Sequence, residues 1–419
     1  MSKIKILFNL QIFIILILAE VFTSCDSTDP LFDKYTPSGT YTINWNDLPK
    51  INDNTSLRLG GFVGLFYKEN RTFYTITDRG PVNQSLDENG SRTYFEVPEF
   101  IPSIIELELQ DDNTVKVVKQ IAITNPAGTS ITGLLPSDSW NSDEEINSPN
   151  PTEDDWGIFP GGVLFDIKNN FFWIAEQYNP ALMQITYDGQ WVRRIRPGEG
   201  LRRALGNQTV DGGFTGIDFY GEDHLVTVNG RCLENNHIAG DKAGSMNYAM
   251  RRVNIYNLKS NTDISMIYNV EPQSMDGIPE QFVFLGDIAA VNDTSFLVTE
   301  FAEFNGSTRN LLFMLSTNDS TTKALVGLEG ILGKTIETLT VKERKDNKIK
   351  PVNKKLIYDL SVTKIKRPEG IAIINKNTIA VIGNNKYGII DGDPTNGNYG
   401  LNKDPIYLEI IKLPNDLEL

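Results

Sequence analysis

One short phrase recurs five times along the chain, and no other feature restricts the fold as much. Each copy is a Gly-containing turn, a short apolar strand, a tight turn, and a second strand that ends on a polar residue. The copies run from Gly61 to Asp78, Gly161 to Glu176, Phe214 to Asn229, Gly286 to Glu300 and Glu369 to Asn384. Counted from the second turn position (Gly64, Gly162, Gly216, Asp287 and Gly370), the polar end arrives after 14, 14, 13, 13 and 14 residues. A hairpin repeated at constant length cannot bury both of its faces alone; stacked around an axis, the copies bury each other. The expected fold class is all-β, a single β-propeller. Five repeat units are visible, and the spacing allows five to seven blades.

Each hairpin is followed by material for outer strands: Ser103 to Leu109 and Val115 to Ile123, Leu182 to Tyr187 and Trp191 to Ile195, Arg251 to Leu258 and Asp263 to Val270, and Leu311 to Ser316 and Lys323 to Leu328. Asp188-Gly189 is a strong hairpin turn. The fifth unit has only Ile406 to Leu413, so its missing outer strand is expected from Tyr41 to Trp45, which would close the ring without free edges. A sixth unit has room between Leu328 and Tyr358. Two stretches read as surface insertions: Asn125 to Asp155, placed to roof one face of the ring, and the charged run Lys342 to Lys355.

The first residues are targeting sequence. Lys3 and Lys5 precede an apolar run, Ile6 to Leu18, too short for a secure membrane span, and Val21-Phe22-Thr23-Ser24 leads directly to Cys25. This resembles the bacterial lipoprotein pattern. The resemblance implies a signal peptide over residues 1–24, a lipid on Cys25, and a tether over 25–40 before the domain at 41–419. The membrane is then a partner through lipidated Cys25. The location is the cell envelope, as an outer-membrane lipoprotein facing the periplasm or the surface. Asp26 and Asp29 resemble an acidic surface-export tag. Cys232 is the second of two cysteines, so no disulfide framework exists. A net charge of −15 argues against nonspecific nucleic-acid binding, which needs a positive surface.

The strand ends Asp78, Glu176, Asn229, Glu300 and Asn384 are where function is sought first. Oxygens converging from several strands suit Ca²⁺; the same groups can equally tie neighbouring blades together. Arg79, Arg231 and Lys386 adjoin these ends and suit phosphate or carboxylate recognition, or local salt bridges. Tyr178, Tyr387 and Phe301 add aromatic surface. With only His224 and His237 and no Gly-x-Ser-x-Gly elbow, a serine triad is not expected. Hydrolysis would use metal-activated water with a carboxylate base.

The strings Gly-Gly-Phe-x-Gly-Leu (60–65), Thr-Asp-Arg-Gly-Pro (77–81), Trp-Ile-Ala-Glu-Gln-Tyr-Asn-Pro (173–180), Gly-Phe-Thr-Gly-Ile (213–217), Phe-Leu-Val-Thr-Glu (296–300) and Pro-Glu-Gly-Ile-Ala (368–372) resemble the bacterial phytase-like domain family, described as having esterase-like activity. Their order spans about residues 57–412. The resemblance implies hydrolysis of a phosphate- or ester-containing small molecule. On that reading Asp78, Glu176, Glu300 and Glu369 hold the cation, Glu369, Glu176 and Arg79 are catalytic, and Arg79, Tyr178, Arg231 and Lys386 bind substrate. The family's Glu-Gly turn survives as Glu369-Gly370; Val63, Gly161 and Thr215 occupy the corresponding positions. Phe301 follows Glu300 where Arg is expected, and Asn384 replaces Asp. These losses keep a second expectation open, a noncatalytic envelope module recognising a glycan, peptide or protein partner.

Overall fold

A computed structural model describes residues 38–419, except 54, 88–89, 138–144, 147–152, 207–211, 234–247, 318–335 and 391–398. The signal peptide, Cys25 and most of the tether lie outside the described residues, as do Lys323 to Leu328 and His237. Five sheets form a five-bladed propeller. Blade 1 is Phe62–Glu69, Thr72–Thr77, Ser103–Leu109 and Val115–Ala122. Blade 2 is Pro160–Asp166, Phe171–Glu176, Ala181–Thr186 and Trp191–Pro197, with Gly200–Leu201 added at its edge. Blade 3 is Phe214–Tyr220, His224–Asn229, Met250–Asn257 and Thr262–Asn269.

Blade 4 departs from expectation. Its inner strands are Val283–Asn292, Ser295–Phe304 and Ser307–Ser316, and its outer strand is Asn353–Asp359. The charged run therefore ends in a blade strand and is not surface insertion throughout. Its first part is a short helix, Val341–Asp346, started by a reciprocal capping box between Thr340 and Glu343. No sixth blade appears among the described residues. Blade 5 is Pro368–Asn375, Thr378–Gly383 and Ile406–Lys412, closed by the N-terminal strand Gly39–Ile43. Tyr41 pairs with Leu408, and the Thr40 hydroxyl donates to the Glu409 carboxylate at 2.9 Å.

The core is divided among the five wedges between blades, and strand alternation explains how. Successive side chains point to opposite faces of a strand. In the second strand of blade 4, Phe296 and Val298 pack toward blade 3 while Leu297 packs toward blade 5. In blade 1, Tyr74 and Ile76 face blade 2, and Phe73 faces blade 5. Both faces are buried, so these strands read as nearly continuous apolar runs. A fully buried aliphatic or aromatic side chain stabilises by roughly 1.5–3 kcal/mol, so each wedge is a substantial adhesive between neighbours.

At the axis the inner strands meet with almost no space. A Cβ at Gly162 would lie 2.9 Å from Gly216 Cα, one at Gly370 would lie 2.8 Å from the Gly64 carbonyl carbon, and one at Gly64 would lie 2.5 Å from Val163 N. The fifth equivalent position is Asp287. Its Oδ2 accepts the backbone N–H of Ile371 at 2.9 Å and of Leu65 at 3.3 Å, and its Oδ1 accepts that of Ile288 at 2.8 Å. One buried carboxylate thus fills the central hole and ties blades 4, 5 and 1.

Candidate functional site

The inner strands start at one mouth of the ring, and the second strands return to it, so all five polar strand ends arrive there. They do not all face the opening. The mouth holds a cavity of about 190 Å³, walled by Asp78, Arg79, Arg231, Arg367, Glu369 and Lys386. Its room comes from the turns: Gly161, Thr215 and Gly286 occupy on three blades the positions equivalent to Glu369, and all three border the cavity.

Two carboxylates face this space. Asn384 Nδ2 donates to Glu369 Oε2 at 2.8 Å and to Asp78 Oδ2 at 3.3 Å. Arg367 is paired with Glu369 at 2.7 Å. Burial pushes the Asp78 carboxyl up to about 7; the Gly80 N–H pulls it down, and the nearby Glu369 charge adds to the rise. The acid therefore exchanges its proton near neutrality, as a general acid or base must.

Cations surround the pair. Arg79 is buried beneath three rings, with Phe159 at 4.6 Å and Phe95 and Tyr178 at 5.6 Å, and it donates to the Tyr178 hydroxyl at 3.3 Å. Tyr178 in turn donates to the Gly133 carbonyl at 2.7 Å. A Cβ at Gly133 would overlap the Arg79 carbonyl oxygen, so Gly133, in the segment that enters before blade 2, packs against this mouth. Arg231 lies over Phe284 at 4.2 Å, Phe284 and Phe301 stack at 5.3 Å, and Arg367 lies over Phe301 at 4.9 Å. The aromatic pair of blade 4 thus carries a guanidinium from blade 3 and one from blade 5. Phe301, at the position where the family resemblance leads one to expect Arg, supplies a platform for Arg367.

The remaining sequence candidates are placed elsewhere. Glu176 is fully buried in its own blade, where it accepts from Phe159 N (3.2 Å), Tyr178 N (2.8 Å), Asn179 N (2.9 Å) and Arg194 Nη2 (2.9 Å). These donors use its acceptor capacity. Glu300 is equally buried, bonded to the Tyr268 hydroxyl and paired with Lys354 at 2.5 Å. Tyr178 stands behind Arg79 and does not line the cavity. Asn229 bonds Asn254 at 2.9 Å. The expected set Asp78, Glu176, Glu300 and Glu369 is therefore not assembled, and among the described residues no group of three or more His, Cys, Asp or Glu side chains is arranged to hold a metal ion. Calcium takes six to eight oxygens. Two carboxylates already engaged by Asn384 and Arg367 and ringed by guanidinium groups do not match that demand. Arg367 and Asp287, not singled out from sequence, complete the picture. Asp287 had a visible signal, being the single non-glycine at the five axial positions.

The model of the phytase-like family, described as esterase-like activity of phytase, matches residues 57–385, and the chain belongs to that family. No curated protein sequence matches it. Among solved structures it is similar to the periplasmic gluconolactonase PpgL of Pseudomonas aeruginosa (8% identity, 90% of this chain and 100% of that one, TM-score 0.32). An endo-arabinase of Bacteroides thetaiotaomicron VPI-5482 gives 10% identity over 86% and 96%, TM-score 0.37. The Cps50 (Swd1) β-propeller domain of Myceliophteria thermophila gives 10% over 89% and 100%, TM-score 0.34. Likenesses this remote carry no argument about activity.

Proposed function

We propose that this mouth binds an anionic ester, a phosphate or a carboxylate ester, and hydrolyses it at the cell envelope, where the protein is held by a lipid on Cys25. The observation that carries the reading is local charge. A protein of net charge −15 gathers Arg79, Arg231, Arg367 and Lys386 around one cavity that also holds Asp78 and Glu369. Guanidinium forks match phosphate and carboxylate oxygens, and a semi-enclosed site strengthens each contact. In the reaction, Arg79 and Arg231 hold the anionic group and stabilise developing charge. Glu369, oriented by Arg367 and Asn384, takes a proton from the attacking water. Asp78 gives its proton to the departing alcohol, leaving an acid and an alcohol as products. No step is assigned to Glu176 or to calcium.

The test is hydrolysis of an aryl phosphate and a short-chain aryl ester by residues 26–419, with Ca²⁺ and with chelator, against Glu369→Gln. Turnover in chelator that the variant loses supports the reading. Turnover only with Ca²⁺ restores the metal-assisted route, a cation then joining Asp78 and Glu369. A second reading, a noncatalytic receptor for an anionic glycan or peptide, is favoured by the internal use of Glu176 and Glu300. Saturable binding without turnover on any substrate would establish it.

A further inference from the structure

A second cavity, of about 270 Å³, opens on the blade 5 side of the mouth and shares Arg367, Asn384 and Lys386 with the first. The two therefore adjoin across these shared residues, two of them cationic. The second compartment differs in chemistry. Lys364 and Lys366 add positive charge against Glu303 and Asp404, Lys366 being paired with exposed Asp404 at 3.5 Å, and Tyr407 offers a half-buried ring over which Lys364 sits at 5.4 Å. Asn385 is held by two backbone donors on its Oδ1, Gly61 N at 3.0 Å and Tyr387 N at 3.2 Å; its buried Nδ2 has no acceptor among the described residues.

Cations alone would suit any anion. A fixed aromatic face and an unsatisfied amide donor beside them select further. An aromatic face packs against the C–H face of a sugar ring, since it offers apolar area with a directional surface. A buried unpaired donor is destabilising, and an incoming hydroxyl or ring oxygen would satisfy it. Free phosphate has no apolar face to offer Tyr407.

We propose that the second compartment is a binding subsite for an anionic sugar, bearing either a carboxylate or a phosphate, so that the ester in the first compartment is an ester of that sugar. The inference rests on the anionic-ester reading of the mouth and names its substrate class. Lys364 and Lys366 attract the sugar's anionic group, Tyr407 supports its ring, and Asn385 Nδ2 donates to a hydroxyl or ring oxygen. Arg367 and Lys386 stand at the junction, where the sugar and the scissile ester meet.

The experiment is calorimetric titration of the mature chain with four probes: inorganic phosphate, glucose, glucose 6-phosphate and glucuronate. At least one charged sugar is expected to bind about tenfold or more tighter than both inorganic phosphate and glucose; which one does so identifies the anion. Lys364→Gln/Lys366→Gln and, separately, Tyr407→Ala should each reduce charged-sugar affinity about tenfold and leave phosphate affinity unchanged. These residues lie on exposed or half-buried walls, so the folded state of each variant can be verified by its melting curve. If phosphate binds but neither charged sugar binds tighter, or if the variants leave sugar affinity unaltered, the subsite is wrong and the anionic mouth stands. If phosphate fails to bind while a charged sugar binds through Lys364 and Lys366, the subsite stands and the mouth reading falls. If no probe binds, both fall.

Discussion

The Asp287 carboxylate accepts the backbone N–H of Ile371, one blade on and 84 residues later, at 2.9 Å. The same side chain reaches Leu65 of blade 1, so one residue substitutes for a continuous backbone in holding three inner strands together.

Removing that carboxylate should therefore weaken ring closure itself. Asp287→Ala leaves three buried N–H groups without acceptors, and at about 1–3 kcal/mol each the loss is expected to exceed about 3 kcal/mol. Urea unfolding would measure it. A change under about 1 kcal/mol would contradict the role given to Asp287.

The glycines at the axis give a graded prediction. Gly64 combines φ +64° with a would-be Cβ contact of 2.5 Å on backbone, whereas a Cβ at Gly162, whose φ lies outside the left-handed region, meets Gly216 Cα at 2.9 Å. Gly64→Ala should cost more than Gly162→Ala, both above about 1 kcal/mol, because strain at a left-handed position adds to the clash. Thermal denaturation of the two variants side by side checks the order.

Asp78 predicts a pH dependence of binding and of stability. Its folded value near 7 lies above the ordinary carboxylate value, so the folded state holds the extra proton between about 4 and 7. Stability from this group is highest at the acid end and declines as pH rises through that window. Below about 7 the mouth also carries one negative charge fewer. Affinity for sulfate, whose charge is constant over this range, should rise several-fold from pH 8 to pH 6 in calorimetry. Asp78→Asn should flatten both trends.

Glu300 and Lys354 form a buried pair that does not line the mouth cavity. Lys354→Met strands a buried carboxylate and should destabilise by about 3–5 kcal/mol. Sulfate affinity of the folded fraction should be unchanged, whereas Arg231→Gln should weaken it about tenfold with little effect on the melting temperature.

Much of this architecture is legible in the sequence because it is repeated. The turn-strand-turn-strand phrase locates ten inner strands, and the unfinished fifth unit points to Tyr41 to Trp45 for its closing strand, which the structure forms two residues earlier, at Gly39–Ile43. The fourth outer strand, Asn353–Asp359, is not legible. It sits at the rim, carries Lys354 and Lys355, and follows the inner strands after more than thirty residues. Its lysine proves to be the partner of Glu300. The same physics separates the strand-end carboxylates. Glu176 and Glu300 each turn into their own blade because a cation on an outer strand, Arg194 or Lys354, meets them there. Asp78 bonds to Gly80 N and Asn384, and Glu369 pairs with Arg367 two residues away, so both stay at the opening. Spacing along one hairpin cannot reveal a partner on a strand outside it.

The most direct test of the mouth as a hydrolytic centre is turnover of an aryl phosphate and a short-chain aryl ester in chelator by wild type, Glu369→Gln and Glu176→Gln, each normalised to folded protein. Turnover by wild type on at least one substrate is expected, with a loss of about 100-fold or more in Glu369→Gln and near wild-type turnover in folded Glu176→Gln. Equal turnover in wild type and Glu369→Gln, or a loss confined to Glu176→Gln, would contradict it.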